Sequence, residues 1–97
     1  MVYILVNNSL VEQDIRFAFD YYKSISHKLA KEFIQRLQKA KENIILYPFS
    51  NDIVYNNVRL HKLKQFPYHI HYIVEQDKMK IIILAIVYTK REYSKYK

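Results

Sequence analysis

The 97-residue chain contains no cysteine and no glycine, and its 16 Lys and Arg residues outnumber nine Asp and Glu residues, giving a formal net charge of +7. The lack of cysteine excludes disulfides, thiolate zinc sites and cysteine nucleophiles. Average usage of about 7% predicts about seven glycines, and without any the chain cannot form the glycine-rich loops that bind nucleotide phosphates. We expect one cytoplasmic domain spanning residues 1–97, with no cofactor and no membrane association.

The positive charge is concentrated in the second half of the chain. Residues 1–50 carry seven basic and five acidic side chains, whereas residues 51–97 carry nine and four. A basic surface of this kind is typical of proteins that bind nucleic acid or an acidic protein. The alternative is a solvated basic surface without a partner.

Hydrophobic periodicity predicts a strand and then a helix at the start of the chain. Residues 2–6 are apolar and β-branched, which is typical of a strand. Ser9 and Glu12 have the spacing of a capping box, so the first helix is predicted to begin there. Its apolar residues recur at steps of three and four, and the predicted buried positions are Val11, Ile15, Ala18, Tyr22 and Ile25.

A second helix follows after a short break at residues 24–27. Pro48 predicts that this helix ends near Tyr47. Its predicted buried positions are Ala30, Phe33, Leu37, Ala40 and Ile44. Because the connection is short, the two helices are expected to form an antiparallel hairpin.

The rest of the chain reads as an irregular connection at 49–57 followed by strands at about 58–63, 67–75 and 80–88. The order is therefore β-α-α-β-β-β. A helical hairpin covers one face of a single sheet and leaves the other exposed. We expect an α+β fold in which the hairpin packs on one face of a mainly antiparallel four-stranded sheet, with the other face open and basic.

Without glycine, turns that need a positive φ have to use other residues, above all Asn and Asp. The residue pairs at 7–8, 51–52, 56–57 and 76–77 lie where breaks between elements are expected. These pairs are the predicted turn positions.

Strand alternation separates two faces in the segment 67–75. The even-numbered residues share one side, while His69 and His71 share the other. The histidines are predicted to face away from the helices. The register with the preceding strand stays open, because Leu63 breaks the alternation next to Lys62.

Side chains suited to RNA cleavage cluster in and after this strand pair. Metal-free attack by a 2′-hydroxyl needs a proton acceptor, a proton donor and cations that stabilise the phosphorane-like charge. The candidate acceptors are His69 and His71, the candidate donors are Tyr88 and Tyr93, and the candidate cations are Arg59, Lys62 and Arg91. The candidate nucleic-acid contacts are His61, Lys64, His71, Lys90 and Tyr96. The alternative is a basic sheet face with no chemistry.

The three histidines also suggest a zinc site. They could share a metal ion if the register placed His61 opposite His69. Arg59 and Lys62 would repel the cation, and no carboxylate lies nearby in the sequence. We therefore expect no metal site.

The predicted elements are accompanied by short sequence motifs in a fixed order. The motifs are the start of the first helix at 10–15, the Tyr21-Tyr22 pair, the LAKEF opening of the second helix, the Pro48 stop, and then VR, FPYHIHY and ILAIVYTKR. In this order and spacing, over nearly the whole length, the chain resembles the RelE/ParE superfamily of bacterial type II toxin–antitoxin toxins.

The resemblance implies a small basic toxin, in systems that include those for plasmid stabilisation. Such a toxin is neutralised by a cognate antitoxin that wraps around it, so a hetero-oligomer is expected. Some members cut mRNA on the ribosome, and others inhibit DNA gyrase. In the RNA-cutting branch, basic residues of the strands and tail activate the 2′-hydroxyl and neutralise the phosphate, often with a tail tyrosine that stacks or transfers a proton.

Individual residues match family positions. By resemblance, Lys62 corresponds to a lysine on the second strand, Arg59 to the VR position common in ParE-like members, and Arg91 to the basic residue after the last strand. The tail aromatic would be Tyr93 or Tyr96.

Two positions depart from the family pattern. His69 lies where many members have arginine, and Tyr88 lies where many have histidine. These exchanges remove a fixed positive charge and a proton carrier with a near-neutral pKa. Ribosome-dependent mRNA cleavage and gyrase inhibition therefore both stay open, beside a non-enzymatic binding module or inactive toxin relative that engages an acidic protein.

Overall fold

The computed structural model describes residues 2–89. The elements are β1 (Ile4–Asn7), α1 (Val11–Ile25), α2 (His27–Leu46), β2 (Ile53–Tyr55), β3 (Val58–Lys62), β4 (Tyr68–Glu75), a one-turn 3-10 helix (Gln76–Lys78) and β5 (Lys80–Tyr88). The described strands form one sheet in the order β1-β5-β4-β3-β2, in which β1 runs parallel to β5 and the other pairs are antiparallel. The predicted α+β fold is confirmed, with five described strands instead of four.

The additional strand, β2, lies where the sequence predicted an irregular connection. It pairs with β3 through a tight turn at Asn56 and Asn57, whose φ values are 39° and 63°. Two successive positive φ values are typical of a type I′ hairpin, and Asn tolerates them better than most residues. Three residues are too few for an alternating pattern to be recognised in the sequence.

The predicted turn positions are only partly correct. The pair at 56–57 has positive φ, as expected, but the other positive φ values in residues 2–89 belong to Gln65 (77°) and Met79 (51°). Gln65 lies in the connection between β3 and β4, and Met79 is the C-cap of the 3-10 helix. The pairs at 7–8, 51–52 and 76–77 do not have this geometry.

The first helix begins differently from the predicted capping box. Leu10 is the N-cap of α1 and no side chain caps it. The Ser9 hydroxyl donates instead to Asn8 Oδ1 (3.2 Å), which also accepts from the Leu10 amide (3.4 Å), and Glu12 Oε1 accepts from Asn7 Nδ2 (3.4 Å). The adjacent asparagines thus replace the predicted reciprocal bonds between Ser9 and Glu12.

The second helix has the side-chain cap that α1 lacks. Ser26 is its N-cap, and the Ser26 hydroxyl accepts a hydrogen bond from the Leu29 amide (3.2 Å). We expect Ser26→Ala to lower the free energy of unfolding by about 1 kcal/mol, because it leaves this amide without its partner. Urea unfolding measures the loss. Ser9→Ala is the matched control, and an equal loss in that variant would contradict the assignment of the caps.

The core lies between the helical hairpin and one face of the sheet. All five predicted positions of α2 are buried, and so are Val11, Ala18 and Tyr22 of α1, whereas Ile25, the last residue of α1, is 59% exposed. From the sheet, the main contributors are Ile70, Tyr72, Ile81, Ile83 and Ile86. The side predicted to be buried in β4 is therefore confirmed.

A β-bulge in β5 allows both ends of that strand to contribute to the core. Tyr72 pairs with Ile83 and His71 pairs with Ala85, so Leu84 has no partner on β4 and the alternation shifts by one residue. The pairing of β1 with β5 ends at Ile83. Beyond this point, Asp14 of α1 replaces a strand partner for β5, because its Oδ2 accepts a hydrogen bond from the Ile86 amide (3.0 Å).

The sheet face without helices is not open at its centre, which corrects the expectation of an open basic face. His69 and His71 lie on this face as predicted, but they are only 7% and 1% exposed. Tyr55 of the unpredicted strand β2 lies against the His71 ring, with 5.9 Å between the centroids. By register, the β1 and β5 part of this face carries mainly apolar residues, namely Ile4, Val6, Ile82, Ala85 and Val87.

Neither of the two α-helices in residues 2–89 combines the length and the apolar character that crossing a membrane requires.

Candidate functional site

The sequence-predicted site residues are divided by the sheet. Lys90, Arg91, Tyr93 and Tyr96 lie outside the described residues. Cross-strand partners share a face, so the register assigns the others. Arg59, His61 and Tyr88 pair with Tyr72, Ile70 and Tyr68 on the helix side, whereas Lys62 pairs with His69, and His71 with Leu60, on the opposite side. Lys64 follows β3 and is exposed.

Arg59 holds the loop that follows α2. Its Nη1 donates to the carbonyl oxygens of Asn51 (2.5 Å) and Phe49 (3.3 Å), and its guanidinium carbon lies 5.2 Å from the centroid of the Phe49 ring. These contacts combine charge-assisted hydrogen bonds with a cation–π interaction. The side chain therefore has a structural role in this loop.

His61 belongs to a hydrogen-bond network around Asn51. The Asn51 side-chain amide donates to His61 Nδ1 (3.0 Å) and to the Tyr72 hydroxyl (3.1 Å), which itself donates to the Pro48 carbonyl (2.9 Å). Because an amide NH₂ group can only donate, Nδ1 accepts and the His61 proton is on Nε2. Burial lowers the pKa of His61, so the imidazole is neutral near pH 7.

Tyr88 packs on the helix side of the sheet. Its ring meets Tyr68 edge-on with centroids 5.6 Å apart, and both line a small cleft next to Asp14 and Phe17 of α1. Tyr88 is partly buried. It is therefore on the other side of the sheet from the two candidate proton acceptors.

His69 and His71 are neutral imidazoles on the face without helices. The Tyr55 hydroxyl oxygen lies 2.8 Å from His71 Nδ1. Burial lowers the pKa of His71 to about 4, and the charge that His69 carries when it is protonated acts in the same direction. Burial, together with nearby Lys62, also lowers the pKa of His69. Within this group, His69 opposite Lys62 is the one pairing of a neutral base with an exposed cation.

The strand register also separates the three histidines that were considered as zinc ligands. His61 pairs with Ile70, so it lies on the opposite face from His69 and His71. In the part of the chain that the structure describes, no group of three His, Asp or Glu side chains is arranged to hold a metal ion.

Side chains of α2 that were not among the predicted site residues lie next to three of the candidates. Arg36, Lys39 and Asn43 of α2 line a cleft of about 530 Å³ together with His61, Lys62 and Lys64. We call these six residues the basic cleft. The signal in the sequence was their spacing of three and four residues, which places Arg36, Lys39 and Asn43 on one side of α2. Asn51 was missed as well, and no local pattern distinguishes it.

Known proteins match both the sequence and the fold. Residues 8–93 match the family model described as the ParE toxin of type II toxin-antitoxin system, parDE. Two solved structures are similar. The chromosomal ParDE toxin–antitoxin system from P. aeruginosa has a TM-score of 0.77 and 16% identity, and the match covers 91% of this chain and 97% of that chain. The isolated E. coli RelE toxin has a TM-score of 0.61 and 15% identity, and the match covers 97% of this chain and 94% of that chain. A search of curated proteins finds no match.

At these identities the two structures show a shared RelE/ParE-like fold. The family model covers most of the sequence and confirms the resemblance that the motifs indicated. The chain belongs to the ParE toxin family of type II toxin–antitoxin systems.

Proposed function

We propose that this chain arrests bacterial growth by binding and inhibiting DNA gyrase in the cytoplasm, without chemistry of its own, until a cognate antitoxin neutralises it. One observation carries the proposal: the described candidates for catalysis lie on opposite faces of the sheet. Cleavage of RNA needs a proton acceptor, a proton donor and cations around one phosphate, within hydrogen-bond reach of the reacting atoms. A sheet between Tyr88 and His69 prevents those two from meeting there.

The hydrogen bonds of Arg59 support the same conclusion. A cation that stabilises a transition state has to point its donors at the developing charge. Arg59 instead donates to two carbonyl oxygens of its own loop. Family membership in the ParE branch is consistent with a target that is inhibited by binding.

An antitoxin has a suitable surface between the two helices. A groove there is lined by Ile15, Phe19 and Ile34, with Glu12 and Arg16 among its polar neighbours. An apolar floor with charged edges fits an amphipathic helix or extended segment of a partner. We propose this groove as part of the antitoxin contact in a hetero-oligomer.

Ribosome-dependent mRNA cleavage is the second candidate, because Lys62 lies directly across from His69. The imidazole is neutral and could accept a proton, and the adjacent ammonium could neutralise a phosphate. This arrangement includes no described proton donor other than Tyr55, whose hydroxyl contacts His71.

Induced expression in bacteria separates the candidates. We expect growth arrest with an induced DNA-damage response and no new mRNA ends, because gyrase inhibition leaves broken or unsupercoiled DNA. Rapid arrest of translation with new mRNA termini would support cleavage instead. Unimpaired growth would show that the chain is not an active toxin.

A variant makes the same experiment sharper. His69→Gln removes the candidate base but keeps a polar side chain, so we expect toxicity to stay within about threefold of the original, since a gyrase inhibitor has no need of that base. A cleavage mechanism that used His69 would lose about a hundredfold or more. The thermal melt of the purified variant, compared with the unchanged chain, controls for loss of folding.

A further inference from the structure

The basic cleft joins the middle of α2 to the end of β3 and the turn after it. Arg36, Lys39, Lys62 and Lys64 provide four cations around it, and Asn43 and His61 provide neutral polar groups. No Asp or Glu lines this cleft. It is formed by segments far apart in the sequence, so the fold itself brings the charges together.

None of these four cations forms a salt bridge in the described chain, although the carboxylate of Glu32 lines an adjoining cleft with Arg36 and Lys39. Within residues 2–89 the one salt bridge joins Lys78 to Glu75 in the turn between β4 and β5. Arg36 is oriented by a neutral group, because its Nε donates to Gln65 Oε1 (2.6 Å). The Nη groups of the guanidinium are then left to bind a ligand.

The lining is suited to an anion with many acceptor oxygens. Guanidinium and ammonium groups can only donate hydrogen bonds, and the neutral His61 keeps its proton on Nε2. Protein partners, by contrast, are usually held through buried apolar or aromatic anchors. Ala40 and Leu63 are the apolar residues that line the cleft, and its lining includes no Phe or Tyr side chain.

We propose that the basic cleft binds the phosphodiester backbone of nucleic acid. Contacts of cations with phosphates provide affinity and position without reading the sequence. Binding of nucleic acid goes beyond gyrase inhibition, which requires contact with a protein, and it requires no proton transfer, although Lys62 is also one of the candidate catalytic cations. Failure of the gyrase proposal would therefore leave it standing.

The test is binding of the full-length chain to a labelled DNA duplex, followed by fluorescence anisotropy over a range of salt concentrations. Lys39→Ala/Lys64→Ala removes two exposed cations of the cleft, and Lys23→Ala/Lys28→Ala removes two exposed cations at the connection of α1 with α2. Both double variants change the net charge equally. We expect the first to reduce the slope of log affinity against log salt by about 2, and the second to leave it nearly unchanged.

Equal weakening by both double variants would overturn the site, because it would show a general effect of charge. A single-stranded RNA of the same length distinguishes the two sources of phosphodiester, and binding of either supports the proposal. Tighter binding of a polyglutamate peptide than of both nucleic acids would identify a protein interface instead.

His61 reports on the position of the ligand. A bound phosphate favours the imidazolium form, so NMR titration should show that the pKa of His61 rises when the duplex is added. An unchanged pKa of His61 in the saturated complex would contradict the assignment of the phosphate to this cleft.

Discussion

Replacing Phe33 with alanine is expected to lower the free energy of unfolding by about 3–5 kcal/mol, the usual cost of removing a fully buried phenyl ring. Phe33 is 0% exposed. Its ring centroid lies 5.4 Å from that of Tyr22, 5.3 Å from that of Phe66 and 5.6 Å from that of Tyr68. The substitution therefore removes the centre of the aromatic cluster that joins both helices to the sheet.

A loss of this size matters in a small domain. The whole free energy of unfolding is roughly 5–15 kcal/mol for most domains, so the substitution removes a substantial part of the stability of the folded state. Urea unfolding followed by circular dichroism gives the difference directly. Phe17→Ala is the matched control, because Phe17 is on α1 but 68% exposed, and we expect it to cost no more than about 0.5 kcal/mol. Similar losses in the two variants would contradict the position of the core.

Acidification is expected to destabilise the chain through His71. The folded state holds the pKa of His71 at about 4, compared with 6.5 for an exposed histidine. As pH falls, the unfolded chain binds this proton first. The stabilisation is therefore complete above pH 6.5 and is lost as the pH falls to 4, and since each pKa unit is about 1.4 kcal/mol, the loss is roughly 3 kcal/mol.

Other groups titrate in the same pH range, so the effect of His71 has to be measured as a difference in unfolding free energy between a variant and the unchanged chain. The lowered pKa values of His61 and His69 act in the same direction as that of His71, and Lys62 and Tyr55 lie on the same side of the sheet. Unfolding free energies of His71→Gln and of the unchanged chain should approach each other as pH falls from 6.5 to 4. His27→Gln makes the same chemical change at an exposed position and is the matched control for the substitution itself. A gap between His71→Gln and the unchanged chain that stays constant with pH would show that His71 does not titrate as described.

The elements that the sequence predicted well are those with long periodic patterns. All five expected positions of α2 are buried, and Tyr47 is the C-cap of this helix just before Pro48. The alternation in β4 also placed Ile70 and Tyr72 in the core and the histidines on the other face. Twenty residues of helix or eight of strand contain enough repeats to specify a face.

Features that depend on one to three residues were not predictable in the same way. The strand β2 has three residues, and the cap of α1 depended on whether Ser9 bonded to Glu12 or to Asn8. The bulge at Leu84 shifts β5 by one residue without any glycine to mark it. Such choices are decided by tertiary contacts, for example by the bond of Asp14 to the Ile86 amide.

The prediction of the candidate site was affected most, because the register between β3 and β4 could not be derived from the sequence. A shift of one residue exchanges the two faces of a strand. The sequence therefore grouped Arg59 and Lys62 as cations for one phosphate, whereas the structure places them on opposite faces. The basic cleft was hidden for a related reason, since its cations come from α2 and β3 and meet only through the packing of helix on sheet.

Gyrase inhibition is tested most directly with purified DNA gyrase, relaxed plasmid and the 97-residue chain. We expect the chain to stop supercoiling in proportion to its concentration, and the Phe33→Ala variant to inhibit less because it is less stably folded. We also expect mRNA on translating ribosomes to stay intact. Undiminished supercoiling together with cut mRNA on the ribosome would contradict gyrase inhibition and identify the chain as a nuclease.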